Sequence, residues 1–232
     1  MKKILRLLRA LFYTGNTNVE NMQGSGFQWL VKSVAKSENI DISDSQLTKE
    51  REYFNTNPAF INFIVGIWIK ELPSAEGPDY WKRVYSSAFA AVGDSLFYHS
   101  YRVFCFLVAA LLGLYSPVIG LLTYLILYNV LYFLFLYKGY DIGFKYGKNI
   151  IGWFNMLRIN EWGQWLDIAS VFLLGILLLM LAGINNFYSY WHYSLGSLML
   201  FAGIVFAKLL NATIFFIIGI ISLALILFLG GL

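Results

Sequence analysis

The sequence predicts an all-α fold, namely a polytopic helical membrane protein with re-entrant or half-spanning helices and an amphipathic N-terminal arm. Of the 232 residues, 59% are hydrophobic and 13% are charged, whereas soluble domains carry about 25% charged residues. Several apolar runs are long enough to cross a bilayer, where lipid replaces water around them. The chain also has 20 glycines, 20 phenylalanines, 16 tyrosines and 7 tryptophans, which favour close helix packing and anchoring at the headgroup level.

The N-terminal part of the chain is polar and basic. Residues 4–13 are apolar but are interrupted by Arg6 and Arg9, so they predict an amphipathic helix on the membrane surface that stays on the mature protein. Residues 14–58 carry too many charged and amide side chains to cross the hydrocarbon core. The sequence therefore predicts a cytoplasmic or interfacial arm over residues 1–58 and a helical transmembrane domain over residues 59–232, together one membrane domain.

Two apolar segments are too short to cross a membrane alone. Residues 59–69 form one run, before Pro73, Gly77 and Pro78 break the pattern, and a ~30 Å hydrocarbon core needs ~20 residues. Residues 84–92 form a second short run, which ends at Gly93-Asp94. Both are interpreted as discontinuous helices, which often build substrate sites in transporters.

Longer apolar runs predict the membrane crossings. Ser116-Pro117 divides residues 96–137 into a helical hairpin, because proline interrupts a helix. A polar segment over residues 138–164 precedes a third span over residues 166–184, and residues 195–209 and 212–229 supply two more. With the basic segments on the inside, the N-terminus is cytoplasmic and the C-terminus lies outside.

Few residues suggest catalysis. The single cysteine, Cys105, excludes an intrachain disulfide, and His99 and His192 lie in no metal-binding or phosphate-binding motif. No catalytic residue, metal or cofactor is therefore expected. His192 lies among interfacial aromatic residues, while His99 shares a helix face with Asp94 and Arg102 and is either structural or functional. The basic residues flank apolar runs, so nucleic acid is not an expected partner.

Two polar clusters are candidates for a binding site. Asp94 lies at the mouth of an apolar span, where a carboxylate is costly without a partner or a function, although Asp94-Ser95 could instead cap the next helix. Residues 54–58 read Phe-Asn-Thr-Asn-Pro, and their amide and hydroxyl groups suit a neutral polyol or sugar. The same pentapeptide could also cap a helix that begins at Pro58. The two roles are compatible.

Three ordered motifs resemble the IID membrane component of the bacterial mannose-type sugar phosphotransferase systems. Residues 21–27, Asn-Met-Gln-Gly-Ser-Gly-Phe, are similar to the family's R-M-Q-x-x-G-F element. Residues 54–58 are similar to its F-N-T-H-P, and residues 91–97, Ala-Val-Gly-Asp-Ser-Leu-Phe, to its G-I-G-D-S-L-F. Residues 137–147 resemble its Y-x-x-G-Y-x-x-G stretch. The chain departs from the pattern at Asn57, where histidine is usual, at Ser87-Ala88, where Gly-Pro is usual, and in a shorter segment 185–194.

The resemblance implies a hetero-oligomeric transporter subunit in the bacterial plasma membrane, embedded in the lipid bilayer. Such a subunit forms a sugar path with a IIC component, while IIA and IIB proteins relay phosphate from phosphoenolpyruvate to the incoming hexose or amino sugar. This chain would then transport without being phosphorylated. The alternative is a structural or assembly subunit that keeps the fold without transporting. The residues expected to line or brace the sugar path are Gln23, Asn55, Thr56, Asn57, Asp94 and Ser95.

Overall fold

The computed structural model describes residues 2–184. These residues form nine α-helices, three 3-10 turns and one π-helical segment. The helices are α1 (Lys2–Phe12), α2 (Gly24–Glu38), α3 (Asp44–Lys49), α4 (Ile61–Lys70), α5 (Pro78–Gly93), α6 (Arg102–Gly113), α7 (Pro117–Tyr146), α8 (Ile150–Met156) and α9 (Ile159–Ile184). The 3-10 turns are Tyr13–Asn16, Pro58–Phe60 and Gly147–Asn149, and the π-helical segment is Asp94–Tyr101. The predicted spans over residues 195–209 and 212–229, and His192, lie outside the described residues.

The all-α prediction is confirmed within residues 2–184. Two apolar helical runs there are long enough to cross a membrane, Pro78–Gly113 with 36 residues and Pro117–Leu178 with 62 residues, and a third apolar helix, Pro58–Lys70, is shorter. The chain divides into two compact units, Met1–Leu166 and Asp167–Leu232. The second unit is described only over its first residues, which continue α9. All the contacts reported below belong to the first unit.

Local sequence signals set several helix ends. Helix α3 begins with a capping box, in which the Ser43 and Gln46 side chains each accept a hydrogen bond from the other's backbone N–H. Helices α5 and α7 begin with Pro78 and Pro117, whose fixed φ suits the first turn. Helix α2 ends at Glu38 and is followed by Asn39 in the left-handed conformation, with φ of 58°, a position where asparagine is tolerated.

The short helix α4 is the core of the first unit. The short helix predicted over residues 59–69 is confirmed, and every side chain from Ile61 to Ile69 is buried. Its apolar surface is therefore covered by protein, which explains an apolar run on all sides of a helix too short to span lipid. The 3-10 turn that precedes it places Phe60 at the centre of an aromatic cluster, with ring centroids 5.2–6.1 Å away on Phe63, Phe89, Phe97, Phe135 and Phe154.

Helix α7 packs directly on α4 through glycines. A Cβ atom on Gly143 would lie 2.2 Å from the Phe63 carbonyl oxygen, and one on Gly66 would lie 2.5 Å from the Tyr140 carbonyl oxygen. The two backbones can approach this closely only because neither position carries a side chain. This contact explains why α7 continues to Tyr146, whereas the sequence predicted a polar segment from residue 138.

The predicted hairpin is confirmed, because α6 ends at Gly113 and α7 begins at Pro117. The interruption expected at Gly93-Asp94 is not observed. Residues 84–92 instead form part of one helical run, in which α5 continues through the π-helical segment into α6. A π-helical segment changes the register of the side chains while the helix stays hydrogen-bonded, so the sequence signal of a break corresponds here to a change of helix type.

Helix α1 is amphipathic as predicted, and its charged face points into the protein. The Arg6 side chain is 8% exposed; it pairs with Glu38 and with Asp141, at 3.3 Å from the latter, and its Cζ lies 4.1 Å from the Tyr140 ring centroid. Lys3 also pairs with Asp141, and both the hydrogen bond and the charge of Asp141 raise the pKa of Lys3. The apolar face of α1 points outward, with these side chains exposed: Ile4, Leu5, Leu8 and Phe12.

The Arg6→Met variant is expected to lose about 1–3 kcal/mol of unfolding free energy. The substitution removes a nearly buried guanidinium that forms ion pairs with two carboxylates and a cation–π contact with one aromatic ring. Limited proteolysis between α1 and α2 should accelerate accordingly. Lys2→Met is the matched control, because the Lys2 side chain is 57% exposed and lies 3.7 Å from Glu38, so its loss should change stability by less than about 1 kcal/mol.

A second ion pair is fully buried. Lys82 Nζ on α5 lies 2.6 Å from Glu50 Oε2, just after α3, and the two side chains are 4% and 0% exposed. Glu50 Oε1 has no hydrogen-bond partner among the described residues. Burial, reinforced by the nearby Asp79 carboxylate and opposed by Lys82, raises the pKa of Glu50 from 4.5 to about 8. The pair therefore connects the N-terminal segment to α5 through a costly, strongly interacting contact.

Candidate functional site

The candidate site forms where the turn before α4 meets the π-helical segment. Asn57 Nδ2 donates a hydrogen bond to Asp94 Oδ1 over 2.8 Å, and Asn57 Oδ1 accepts from the Ala59 backbone N–H over 3.0 Å. Asn57 therefore caps the turn that begins at Pro58, as the sequence allowed, and also holds the carboxylate. Its side chain is buried, whereas Asp94 is exposed, so Asp94 keeps free acceptor capacity on its accessible side.

Gly93 makes the contact between these two segments possible. A Cβ atom at this position would lie 2.4 Å from Asn57 Cβ and 2.6 Å from Asn57 Cγ, distances that real atoms do not reach. The glycine of the Gly-Asp-Ser element is therefore required by the close approach of Asn57, and the aspartate that follows it is placed within reach of the amide. The sequence motif marked Gly93, but its steric role became visible only in the fold.

Asp94 does not cap a helix. It lies inside the continuous helical run at the first residue of the π-helical segment, with helical backbone angles, and its Oδ1 accepts the hydrogen bond from Asn57. The capping alternative considered for Asp94-Ser95 is therefore wrong. π-helical segments inside α-helices occur often at functional sites, because they turn side chains away from the normal register. Here the segment begins with the two polar residues singled out by the sequence, Asp94 and Ser95, and both are exposed.

Gln23 holds the segment Asn55-Thr56-Asn57 by hydrogen bonds and is itself bonded by Tyr13. Gln23 Oε1 accepts from the Thr56 backbone N–H over 3.0 Å, and Gln23 Nε2 donates to the Thr56 carbonyl oxygen over 3.1 Å. Tyr13 Oη donates to Gln23 Oε1 over 3.1 Å. Burial raises the pKa of Tyr13 well above its usual value, so its hydroxyl stays protonated as the donor. The sequence singled out Gln23 but gave no signal for Tyr13.

The remaining predicted residues are placed differently. The Thr56 side chain is buried, and its Oγ1 has no hydrogen-bond partner among the described residues. Asn55 is exposed next to this buried pair. Ser95 lines a cleft of about 230 Å³ together with Ala91, Val92, Leu96, Ile159 and Gly163. The structure therefore brings Gln23, Thr56, Asn57 and Asp94 into one hydrogen-bonded chain of contacts, while Asn55 and Ser95 lie beside it without a direct bond to it.

The side chains that meet at the site are hydrogen-bonding groups. Within residues 2–184, no group of three or more histidine, cysteine, aspartate or glutamate side chains could hold a metal ion. Cys105 is fully buried, and His99 is exposed on the π-helical segment. Amides, hydroxyls and one carboxylate remain, which can donate to and accept from the hydroxyl groups of a neutral ligand.

Comparisons with known proteins agree with this architecture. The sequence profile of the mannose/fructose/sorbose family IID component of phosphotransferase systems matches residues 2–229. A solved structure described as a membrane protein is similar with a TM-score of 0.63 and 19% identity, over 96% of each chain. A chain from the structure of the mannose transporter ManYZ with microcin E492 is similar with a TM-score of 0.54 and 19% identity, over 100% of this chain and 96% of that one. At this identity the two structures show a shared fold.

Proposed function

This chain belongs to the IID component family of the mannose/fructose/sorbose phosphotransferase systems, and from that premise we propose that it is a membrane subunit of a phosphoenolpyruvate-dependent sugar permease. In this proposal it forms the translocation path together with a IIC component. IIA and IIB proteins carry the phosphate to a hexose or amino sugar at the cytoplasmic face. The chain itself transports and is not phosphorylated.

The observation that carries the proposal is the Asn57–Asp94 hydrogen bond of 2.8 Å. It joins a polar turn to the π-helical segment at a point where the apolar runs carry exposed polar groups, Asn55, Asp94 and Ser95. A transporter must hold an uncharged sugar with hydrogen bonds that are strong enough to select it and weak enough to release it. Amides and a single, already hydrogen-bonded carboxylate meet that requirement better than a cluster of charges.

In the proposed arrangement, residues 1–58 lie at the cytoplasmic face of the bacterial plasma membrane, and residues 59–232 form the multi-pass transmembrane domain. The orientation of α1 supports this placement, because its ion pairs face the protein while Ile4, Leu8 and Phe12 face outward with 59%, 47% and 72% exposure. An apolar stripe on a basic helix is suited to the boundary between headgroups and acyl chains.

The test of this role is sugar uptake by cells that carry the complete transporter. Asp94→Ala and Asn55→Ala are each expected to reduce uptake by about ten-fold, the effect of losing one hydrogen bond to a bound ligand, or about 1.4 kcal/mol. Thr48→Ala is the matched control, since its exposed hydroxyl donates to the Asp44 carbonyl oxygen within the same short helix α3. Full uptake by both site variants, at normal protein levels, would remove the site from the path.

A structural or assembly role is the second candidate, and the burial of Gln23, Thr56 and Asn57 favours it, because the Gln23 and Asn57 side chains form hydrogen bonds within the protein. The two roles predict different results for the exposed Asp94 in the assembled transporter. A transport role predicts that Asp94→Asn, which keeps the shape of the side chain, leaves assembly intact and lowers uptake. A structural role predicts that uptake changes only in proportion to the amount of complex that assembles.

A further inference from the structure

Three exposed side chains form a stripe along the helical run beyond the site. Tyr98 and Phe106 are 38% and 59% exposed, and Arg102 between them is also exposed. The three residues are spaced by four positions, so they lie on one face of the helix. The Arg102 Cζ atom lies 5.9 Å from the Tyr98 ring centroid. An arginine flanked by two aromatic rings is the side-chain combination that dominates the energy of protein–protein contacts.

The stripe lies deep in the apolar part of the molecule. Tyr101, the neighbour of Arg102, donates its hydroxyl to the Leu127 carbonyl oxygen of α7. Leu127 is ten residues beyond Pro117, where α7 begins after the hairpin turn. At a rise of 1.5 Å per residue, this level is about 15 Å from the turn, which is half of a ~30 Å hydrocarbon core. With the hairpin turn at the membrane boundary, Arg102 therefore lies near the middle of that core.

No acidic residue of this chain balances Arg102. All 13 aspartates and glutamates of the chain lie within residues 2–184, and none of them is within ion-pair distance of the Arg102 guanidinium. An arginine that faces lipid at this depth is strongly disfavoured. The guanidinium therefore needs a carboxylate from outside this chain, or water.

We propose that Tyr98, Arg102 and Phe106 form the contact surface for the second membrane subunit, and that Arg102 pairs with a carboxylate on a helix of that subunit. Exposed apolar side chains around Arg102 favour protein over water, since Phe106 on the same face is 59% exposed and Val103, the next residue along the helix, is 44% exposed. The planar fork of arginine suits bidentate pairing with a carboxylate. This inference rests on the proposed pairing with a IIC component and specifies where that pairing occurs.

The first test is association in detergent, with a tagged form of this chain co-expressed with the IIC component of its own system. Arg102→Met is expected to weaken retention of that component by about thirty-fold or more, because it leaves a buried carboxylate unpaired. Arg102→Lys keeps the charge without the fork and should recover part of the association. Phe106→Ala should weaken it as well, whereas Phe172→Ala, a change at another exposed phenylalanine of an apolar helix with 63% exposure, should not.

The outcomes separate this inference from the proposed function. If the wild-type chain does not retain the IIC component, both are overturned. If the wild type retains it and Arg102→Met and Phe106→Ala retain it equally well, the contact surface is wrong while the transport role stands.

The second test distinguishes a subunit contact from a water-filled path. Cys105 is the single cysteine of the chain. In a Cys105→Ala background, a cysteine introduced at a chosen position is therefore the only thiol of this chain. In inside-out membrane vesicles that contain the assembled transporter, Tyr98→Cys is expected to be protected from a membrane-impermeant thiol reagent, while Ser45→Cys on the exposed face of α3 reacts. Equal labelling of the two variants would show that the stripe faces water and would overturn the proposal.

Discussion

The Gly143→Ala variant is expected to be less stable than the wild type by about 3 kcal/mol or more, with a corresponding loss of monodisperse protein in detergent. The added Cβ would lie 2.2 Å from the Phe63 carbonyl oxygen and 2.9 Å from its carbonyl carbon. Both atoms belong to the backbone of the buried helix α4, so they cannot move aside as a side chain would. Overpacking of a rigid contact costs 1–3 kcal/mol or more, and this contact joins the two helices that form the core.

The matched control is Gly152→Ala. Gly152 lies within α8, and nothing lies within 4 Å of the position where its Cβ would be added. Alanine is favoured over glycine in a helix by about 1 kcal/mol, so this variant should unfold at the same temperature as the wild type or slightly above it. Tryptophan fluorescence during heating measures both changes. If Gly143→Ala proved as stable as Gly152→Ala, close backbone packing of α4 against α7 would be refuted.

The sequence predicted best those elements whose ends are set by one local signal. Proline at position 117 ends one helix and begins the next, so the hairpin is visible in the sequence and is confirmed. The short helix after Pro58 is likewise predicted, since its apolar run is bounded on both sides by polar or helix-breaking residues. In these elements the local signal and the tertiary packing act in the same direction.

Elements whose form depends on distant partners could not be predicted in the same way. The Gly93-Asp94 pair has the composition of a helix end, and only the fit of Gly93 against Asn57 shows that the chain continues there as a π-helical segment. The extension of α7 to Tyr146 depends on glycines whose partner, Phe63, is about 80 residues away in sequence. The orientation of α1 depends on Glu38 and Asp141, which no local pattern connects to Arg6.

The candidate site shows the same division. The sequence identified Asn57 and Asp94 as polar groups in apolar surroundings, and the structure joins them, which follows from the cost of leaving the buried Asn57 amide unpaired. Gln23 was identified through its motif, but its two hydrogen bonds to the Thr56 backbone and the contribution of Tyr13 depend on a fold that brings residues 13, 23 and 56 together. Sequence patterns identified the polar groups, and tertiary packing decided which of them meet.

The Lys82→Met variant is expected to lose about 1.4 kcal/mol more unfolding free energy at pH 9 than at pH 5.5. Removing Lys82 leaves the Glu50 carboxyl buried without a counter-charge, at 0% exposure, which raises its pKa further. At pH 9 the folded variant must therefore keep a proton that the wild type, with a pKa of about 8, has largely released, and this costs about 1.4 kcal/mol for the one pH unit. Near pH 5.5 the carboxyl is protonated in the folded protein, because its pKa is already raised to about 8 with Lys82 present. A neutral carboxyl beside methionine carries no unpaired charge.

The direction of the pH dependence follows from proton binding. The folded wild type holds a proton on Glu50 up to about pH 8, whereas the unfolded chain releases it near 4.5, so between these values the folded state binds more protons and stability falls as pH rises. Without Lys82, the pKa of Glu50 rises further and the decline extends to higher pH. The Glu50→Leu/Lys82→Met double variant removes the titration and should recover most of the stability at pH 9. Thermal unfolding of the single and double variants at both pH values measures these effects. An equal loss for Lys82→Met at pH 5.5 and pH 9, with no recovery in the double variant, would show that Lys82 stabilises the fold by packing rather than by neutralising Glu50.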